Sequence, residues 1–309
     1  MKYAVKKLVQ SAVILFFVSI VIFLAVRASG DPLQSLLDPR ASDAQRAALS
    51  AKLGLDKPLI VQYGIFVFDA LRGDLGNSHS SGRPVLEIIG EKLPGTVVLS
   101  IMALLIAILF TLLLGTLAAV KKNRAADRIV AVLSALGQSF PVFFVGIIAV
   151  QLLGVKLRIF PISGADTPLH YVLPGVLLGL CVSSSMALVL RNNLLAELES
   201  DHVKFARLRG LNERSVLFRH ALRNSFSTVL SLSAFIFANL ITGSIVIESV
   251  FAWPGIGELS YQAIMKRDFP LVQGIVLIFA ILIVSLSLLT DILHAALDPR
   301  IRLGKEEMQ

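Results

Sequence analysis

The chain is poor in cysteine, poor in charge and without any catalytic signature. Cys181 is the only cysteine among 309 residues, and it lies inside an apolar run. One thiol can neither close an intrachain disulfide nor build a thiolate metal cage. Charged residues make up 16% of the sequence, against about 25% in an ordinary soluble domain. No G-x-x-x-x-G-K-[ST] loop is present to cradle phosphates, and there is no H-E-x-x-H, so the chain is not expected to hydrolyse ATP by itself or to act as a zinc hydrolase. His79, His170, His202, His220 and His294 are scattered, with no pair at metal-ligand spacing on a helix. Gly255-Ile256-Gly257 follows Trp253-Pro254 and reads as a turn rather than a nucleotide loop. The expectation is a non-enzyme with no catalytic, metal-binding or cofactor-binding residues of its own.

What the chain has is apolar residue, 55% of it, with a mean hydropathy of +0.78. Six runs, at 8–26, 95–120, 129–155, 171–190, 225–247 and 269–290, contain no charged residue. Each is long enough to cross roughly 30 Å of hydrocarbon as a helix, and within lipid only a helix satisfies the backbone of a single segment. The fold class expected is therefore an all-α membrane protein with six transmembrane helices.

Lysine and arginine in the short loops set the orientation. Lys2, Lys6 and Lys7 precede the first run, while Lys121, Lys122, Arg124 and Arg128 cluster after the second. Seven basic residues lie from Arg191 to Arg223, and Arg300, Arg302 and Lys305 follow the last run. The loops after the third and fifth runs carry only Lys156, Arg158, Lys266 and Arg267. Both termini are expected in the cytoplasm, and this bias accounts for most of the net charge of +8 without nucleic acid. The lysines before the first run, with Val26-Arg27-Ala28-Ser29 after it, resemble a cleavable leader. The apolar core exceeds the usual span of about 7–15 residues, which favours a retained helix.

The chain then divides into a first span at 1–28, an extracytoplasmic helical region at 29–94, a five-helix core at 95–297 and a cytoplasmic tail at 298–309. Between the first two spans, Ser42 and Gln45 form a capping box, predicting a helix over 42–53 that stops near Gly54. Pro58 suits the first turn of a second helix, with Asp56 near its cap. Tyr63, Phe66 and Leu71 would share its apolar side, and Gly73 would end it. A packing lid and a docking surface are both open for this region.

Several polar residues interrupt the spans: Gln138, Ser139 and Pro141 in the third, Ser183, Ser184 and Ser185 in the fourth, and Asn239, Thr242 and Ser244 before Glu248 in the fifth. Such residues face a bundle interior or a wet cavity, or bond one helix to another. Gln138, Ser139, Pro141, Asn239 and Glu248 are the candidates for a translocation path.

The densest local signal is the basic segment from Glu199 to Arg214. Asp201 stands where a carboxylate meets the positive end of a helix dipole. Gly210 suits a left-handed stop, and Asn212 a cap for a helix running through Arg223. Ala206 and Gly210, four apart, would leave room for another surface to approach closely. The bland alternative is an interfacial helix held to anionic lipid. A DNA-reading helix-turn-helix is excluded by a tether of about ten residues to each span.

This segment resembles the cytoplasmic coupling loop of ABC importer permeases, in which E-A-A is followed after three residues by glycine. Lys204, Phe205 and Ala206 occupy the E-A-A positions and Gly210 the glycine. The first two depart from the motif, and Arg223 stands where proline is common. The departures resemble the branch of dipeptide, oligopeptide and nickel permeases. So do Gly30-Asp31-Pro32, Leu53-Gly54-Leu55-Asp56, Pro58-Leu59, Gln62-Tyr63, the run from Gly73 to Ser78, Arg219 to Asn224, Phe251 to Gly257, Asp268-Phe269-Pro270 and Leu297 to Arg302. The resemblance implies a type I importer permease fold in the bacterial inner membrane, with a coupling loop at about 191–224. The implied partners are a second homologous permease, two ATPase subunits that hold ATP and magnesium, an extracytoplasmic solute-binding protein and the surrounding lipid. Asp201, His202, Phe205, Ala206, Arg207, Arg209, Gly210 and Leu211 would engage the ATPase. The texture around Ala206 to Asn212, Ile247 to Pro254 and Ala295 to Arg302 is similar to nickel or metal-chelate permeases. Dipeptide, oligopeptide or glutathione cargo is the alternative. A stand-alone secondary transporter or scaffold is the competing class, but the spans show neither a repeat nor an embedded charge.

Overall fold

The computed structural model describes residues 2–28, 42–52 and 54–297. The motif at 30–32, Leu53 and the tail at 298–309 lie outside them. Among the described residues the chain is helical, with a single isolated bridge between Asn77 and Pro84. The helices are α1 (Lys2–Ala28), α2 (Asp43–Lys52), α3 (Leu59–Leu71), α4 (Val85–Val120), α5 (Ala125–Ser139), α6 (Val142–Lys156), α7 (Pro168–Leu198), α8 (Asp201–Leu208), α9 (Glu213–Gly243), α10 (Ile245–Val250), α11 (Ile256–Met265) and α12 (Phe269–Leu297).

Five of these, α1, α4, α7, α9 and α12, are long and apolar enough to cross a membrane, and α5 with α6 makes a sixth only as a pair. The span expected at 129–155, interrupted at Pro141, is two helices bent by 98°. The cause is local: proline pushes the residue before it out of the helical region, and Phe140 sits at φ −90°, ψ 131°. The fifth run also divides, α9 ending at Gly243 and α10 starting at Ile245. The second begins ten residues earlier than its apolar stretch, at Val85.

The residues fall into two compact units, Gly95–Pro254, and Met1–Pro94 with Gly255–Gln309. The last long helix groups with the N-terminal region. In the central unit, one side of α4 is buried and the other is exposed. Leu99, Ala103, Ala107 and Ala118 of α4 are fully buried, whereas Leu105, Leu109 and Leu113 are more than half exposed. This is the pattern of a helix packed closely on one side and bathed in lipid on the other. A Cβ at Gly115 would press on the Ala187 carbonyl of α7, and one at Gly95 would collide with the Pro254 carbonyl. Beside that second contact, the buried Trp253 indole donates to the Gly95 carbonyl at 3.0 Å, with the Tyr171 ring edge-on at 4.5 Å.

In the terminal unit, α1 packs along α12, and α3 lies against α1. The Ser42–Gln45 box is present, the Ser42 amide donating to Gln45 Oε1 at 3.0 Å. Gly54 and Gly73 have φ of +65° and +82°, as stops require. Pro58 is the cap of α3 rather than part of its first turn. Tyr63 and Phe66 face α1, but Leu71 is 82% exposed and does not share their side.

The segment after Gly73 is fixed by Asp268, which is fully buried just ahead of α12. Its carboxylate accepts from the Ser78 and Ser80 hydroxyls at 2.6 and 2.8 Å, and from the His79 and Ser80 amides at 3.0 Å each. Burial pushes this carboxyl up, but these donors outweigh it and hold Asp268 below the ordinary aspartate range.

Candidate functional site: the α7–α8–α9 loop

α7 ends at Leu198, and the chain turns through Glu199 and Ser200 into α8. Ser200, not Asp201, is the cap residue; Asp201 is the first-turn carboxylate, paired with Lys204 at 3.0 Å. Gly210 closes α8 at φ +79°, a conformation that glycine adopts without a steric cost. Asn212 then caps α9, its side chain accepting from the Ser215 amide at 2.7 Å. The helix so started does not stop near Arg223. It continues to Gly243, with a π-helical stretch at Val216–Ala221. The short helix is therefore mounted directly between two long apolar ones.

α8 has a buried back and an exposed front. Val203 is fully buried and Ala206 is 6% exposed, packed with Ala119, Leu194, Val216 and Ala221. Ala206 therefore provides close approach within this chain and does not offer room to an outside surface, which corrects the role expected of it. The front carries Phe205 at 65% and Leu208 at 82% exposure, with Leu211 at 41% beyond the turn. Leu208 escapes the sequence reading, although its three-residue spacing from Phe205 puts the two on one helix face.

Polar pairs hold the frame around that front. Arg207 donates to Glu213 at 3.0 Å and to the Leu198 carbonyl at 3.3 Å, bracing α8 against both neighbours. His202 Nε2 lies 2.8 Å from Glu197, which also accepts from Asn224 at 2.7 Å. Arg209 is exposed. Further along α7, Arg191 makes a two-pronged pair with Asp127 of α5, at 2.5 and 2.6 Å, and Asp127 also receives the Asn123 amide at 2.9 Å. The positions of Asp127 and Arg191, 64 residues apart, gave no sequence signal of this contact.

The candidate path residues do not form one cluster of mutual contacts. Gln138, Ser139 and Asn239 are exposed on this chain and bond carbonyls of their own helices, at Ser134, Ala135 and Phe235. Ser183, Ser184 and Ser185 likewise bond back to Leu180 and Val182. Pro141 marks the α5–α6 bend. Glu248 is fully buried, accepting from Thr96 at 2.8 Å and Ser244 at 2.7 Å, which places it in the packed interior of its unit.

The α7–α8–α9 loop thus presents a braced short helix with an apolar front between two long apolar helices. Two family models cover nearly all of this chain. Residues 111–303 match the binding-protein-dependent transport system inner membrane component, and residues 1–100 match the N-terminal part of the membrane component of such systems. The glutathione transport system permease protein GsiC of Salmonella choleraesuis (strain SC-B67) is 37% identical over 303 residues, spanning 98% of this chain and 99% of that protein. GsiC of Escherichia coli (strain K12) is 36% identical over the same shares. A crystal structure of an amino acid ABC transporter with histidines aligns with a TM-score of 0.54 at 15% identity, over 68% of this chain and 94% of that one, and shows the likeness of fold. The chain belongs to the binding-protein-dependent ABC importer permeases: it is a multi-pass inner-membrane permease subunit that works with other ABC components.

Proposed function

We propose that this permease forms half of a translocation pathway for a small peptide of the glutathione class, driven through α8 by a partner ATPase. The observation that carries the coupling is the exposed Phe205–Leu208 front on a helix whose back is buried in its own chain. A knob of this kind gains apolar contact on docking, about 25 cal/mol per Å² removed from water. Its fixed mounting transmits displacement to α7 and α9 without bending. Asp201, His202, Arg207, Arg209, Gly210 and Leu211 frame the knob, and Ala206 seats it.

A second homologous permease completes the pathway, two ATPase subunits each take one coupling helix, and a solute-binding protein delivers cargo from outside. Both termini lie in the cytoplasm. ATP and magnesium belong to the partners, and this chain performs no chemistry and holds no cofactor. Gln138, Ser139, Pro141 and Asn239 approach the route. Glutathione-class cargo is supported by GsiC relatives that match end to end.

Uptake by cells lacking this chain, complemented with wild type or Leu208→Glu, tests both parts. Wild type should restore uptake of labelled glutathione and leave nickel uptake unchanged, and Leu208→Glu should abolish the restored activity. Restoration of nickel uptake alone would overturn the cargo, and full activity of Leu208→Glu would overturn the coupling.

A further inference from the structure

We propose that α3 lies within the lipid of the leaflet on the C-terminal side of α1, as an intramembrane helix, and is not a water-facing lid. The 13 residues of α3 are too few to cross: at 1.5 Å per residue they reach about 20 Å. An apolar helix of that length is either buried in protein or set into the membrane boundary.

Depth comes from its contacts with α1. The Tyr63 hydroxyl lies 2.8 Å from Ser19 Oγ, and the Tyr63 ring meets Phe16. Ser19 is seven residues, about 10 Å, inside the end of the apolar run at Val26. Phe23, about 4–5 Å inside that end, stacks on Phe66 at 6.0 Å and meets Tyr63 at 5.5 Å. The helix is thus held at hydrocarbon depth, not above it.

The rest of its circumference agrees. At 100° per residue, Gln62, Phe66, Ala70 and Tyr63 make the side toward α1 and the preceding turn. Gln62 is buried there, donating to the Leu55 and Lys57 carbonyls at 3.1 and 2.8 Å. The opposite arc is Ile60, Val61, Gly64, Ile65, Phe68 and Leu71, without one polar side chain. Ile60 is 81% exposed. A helix facing water would carry its polar residues on that arc; one apolar nearly all round is surrounded by apolar matter. Two cations mark the headgroup level, where long basic side chains fold over rings and keep their charge in polar surroundings. Arg27 lies over Phe23 at 5.4 Å, and Arg72 over Phe68 at 3.9 Å. The occupant of the arc is therefore lipid acyl chain, continuous with the lipid around α1.

Nitroxide labels test this in the assembled complex in phospholipid vesicles. In a Cys181→Ser background, Ile60→Cys, Phe68→Cys and Leu71→Cys should collide with dissolved oxygen several-fold more than with aqueous chromium oxalate. Asn77→Cys, in the polar loop, should show the reverse. Chromium oxalate dominating at positions 60, 68 and 71 would mean a water-facing surface. Exclusion of both reagents would mean a covering protein. Either result overturns the proposal.

Discussion

Two short helices, α8 and α3, each leave a leucine 82% exposed, Leu208 in one and Leu71 in the other. Their surroundings differ. α8 alternates apolar front residues with charges that are themselves tied, Lys204 to Asp201 and Arg207 to Glu213. α3 carries one charged residue, Asp69, and its free arc has none. A front ringed with satisfied charge remains soluble until a partner docks, as interface cores with polar rims do. An arc flanked at its end by Arg72, folded over Phe68, has no reason to meet water along its length. Exposure alone does not separate a protein-docking surface from a lipid-facing one; the charge around it does.

The sharpest break in this comparison is between the two sides of α8. Leu208→Glu should leave the chain accumulated and inserted while ATPase co-purification falls at least about tenfold, a loss of some 1.4 kcal/mol or more. Ala206→Glu should instead lower the amount of folded chain, because it buries a carboxylate among Ala119, Leu194 and Val216 without a partner. Normal accumulation of Ala206→Glu with selective loss of ATPase would return the docking role to that side.

The loop that follows α3 should depend on Asp268. Asp268→Ala leaves two hydroxyls and two amides without their charged acceptor, at about 1.5–3 kcal/mol for a hydrogen bond of this type. Thermal unfolding in detergent should shift down, and amide exchange at His79 and Ser80 should accelerate. Because the folded-state pKa is depressed, the stabilisation is complete above the unfolded value, about 3.9, and disappears as pH falls through the lower folded value. Protection of these amides, taken relative to their intrinsic exchange rate, should stay flat from pH 7 to 5 and fall only below about 4. A fall in protection between pH 7 and 5 would assign the loop's stability to another group.

The smallest effect belongs to the exposed pair on the front of α8. Lys204→Ala breaks a bridge whose side chains are 60% and 87% exposed, and such pairs contribute little. ATPase retention should stay within about twofold of wild type, and a larger loss would make Lys204 a direct contact.

Local chemistry is what the sequence displays. The capping box at Ser42 and Gln45, the stops at Gly54, Gly73 and Gly210, and the cap at Asn212 each depend on residues a few positions apart. All of them appear in the structure. Pro141 announced an interruption, but not a bend of 98°, because the proline sets its neighbour's ψ while the packing of α6 sets the angle. The facing of α8 stayed hidden for a similar reason: alanine is small whether its neighbour is foreign or its own, and only the positions of Ala119 and Ala221 decide. Asp268 reaches back 190 positions to Ser78, a separation that no periodicity or cap records.

One measurement addresses the contrast directly. The photo-crosslinking residue benzoylphenylalanine replaces Leu208 in one complex and Leu71 in another, both in native membrane vesicles. The label at 208 should form an adduct with the ATPase subunit, and the label at 71 should form lipid adducts and no protein adduct. A label at 208 that yields lipid and no ATPase would contradict the account.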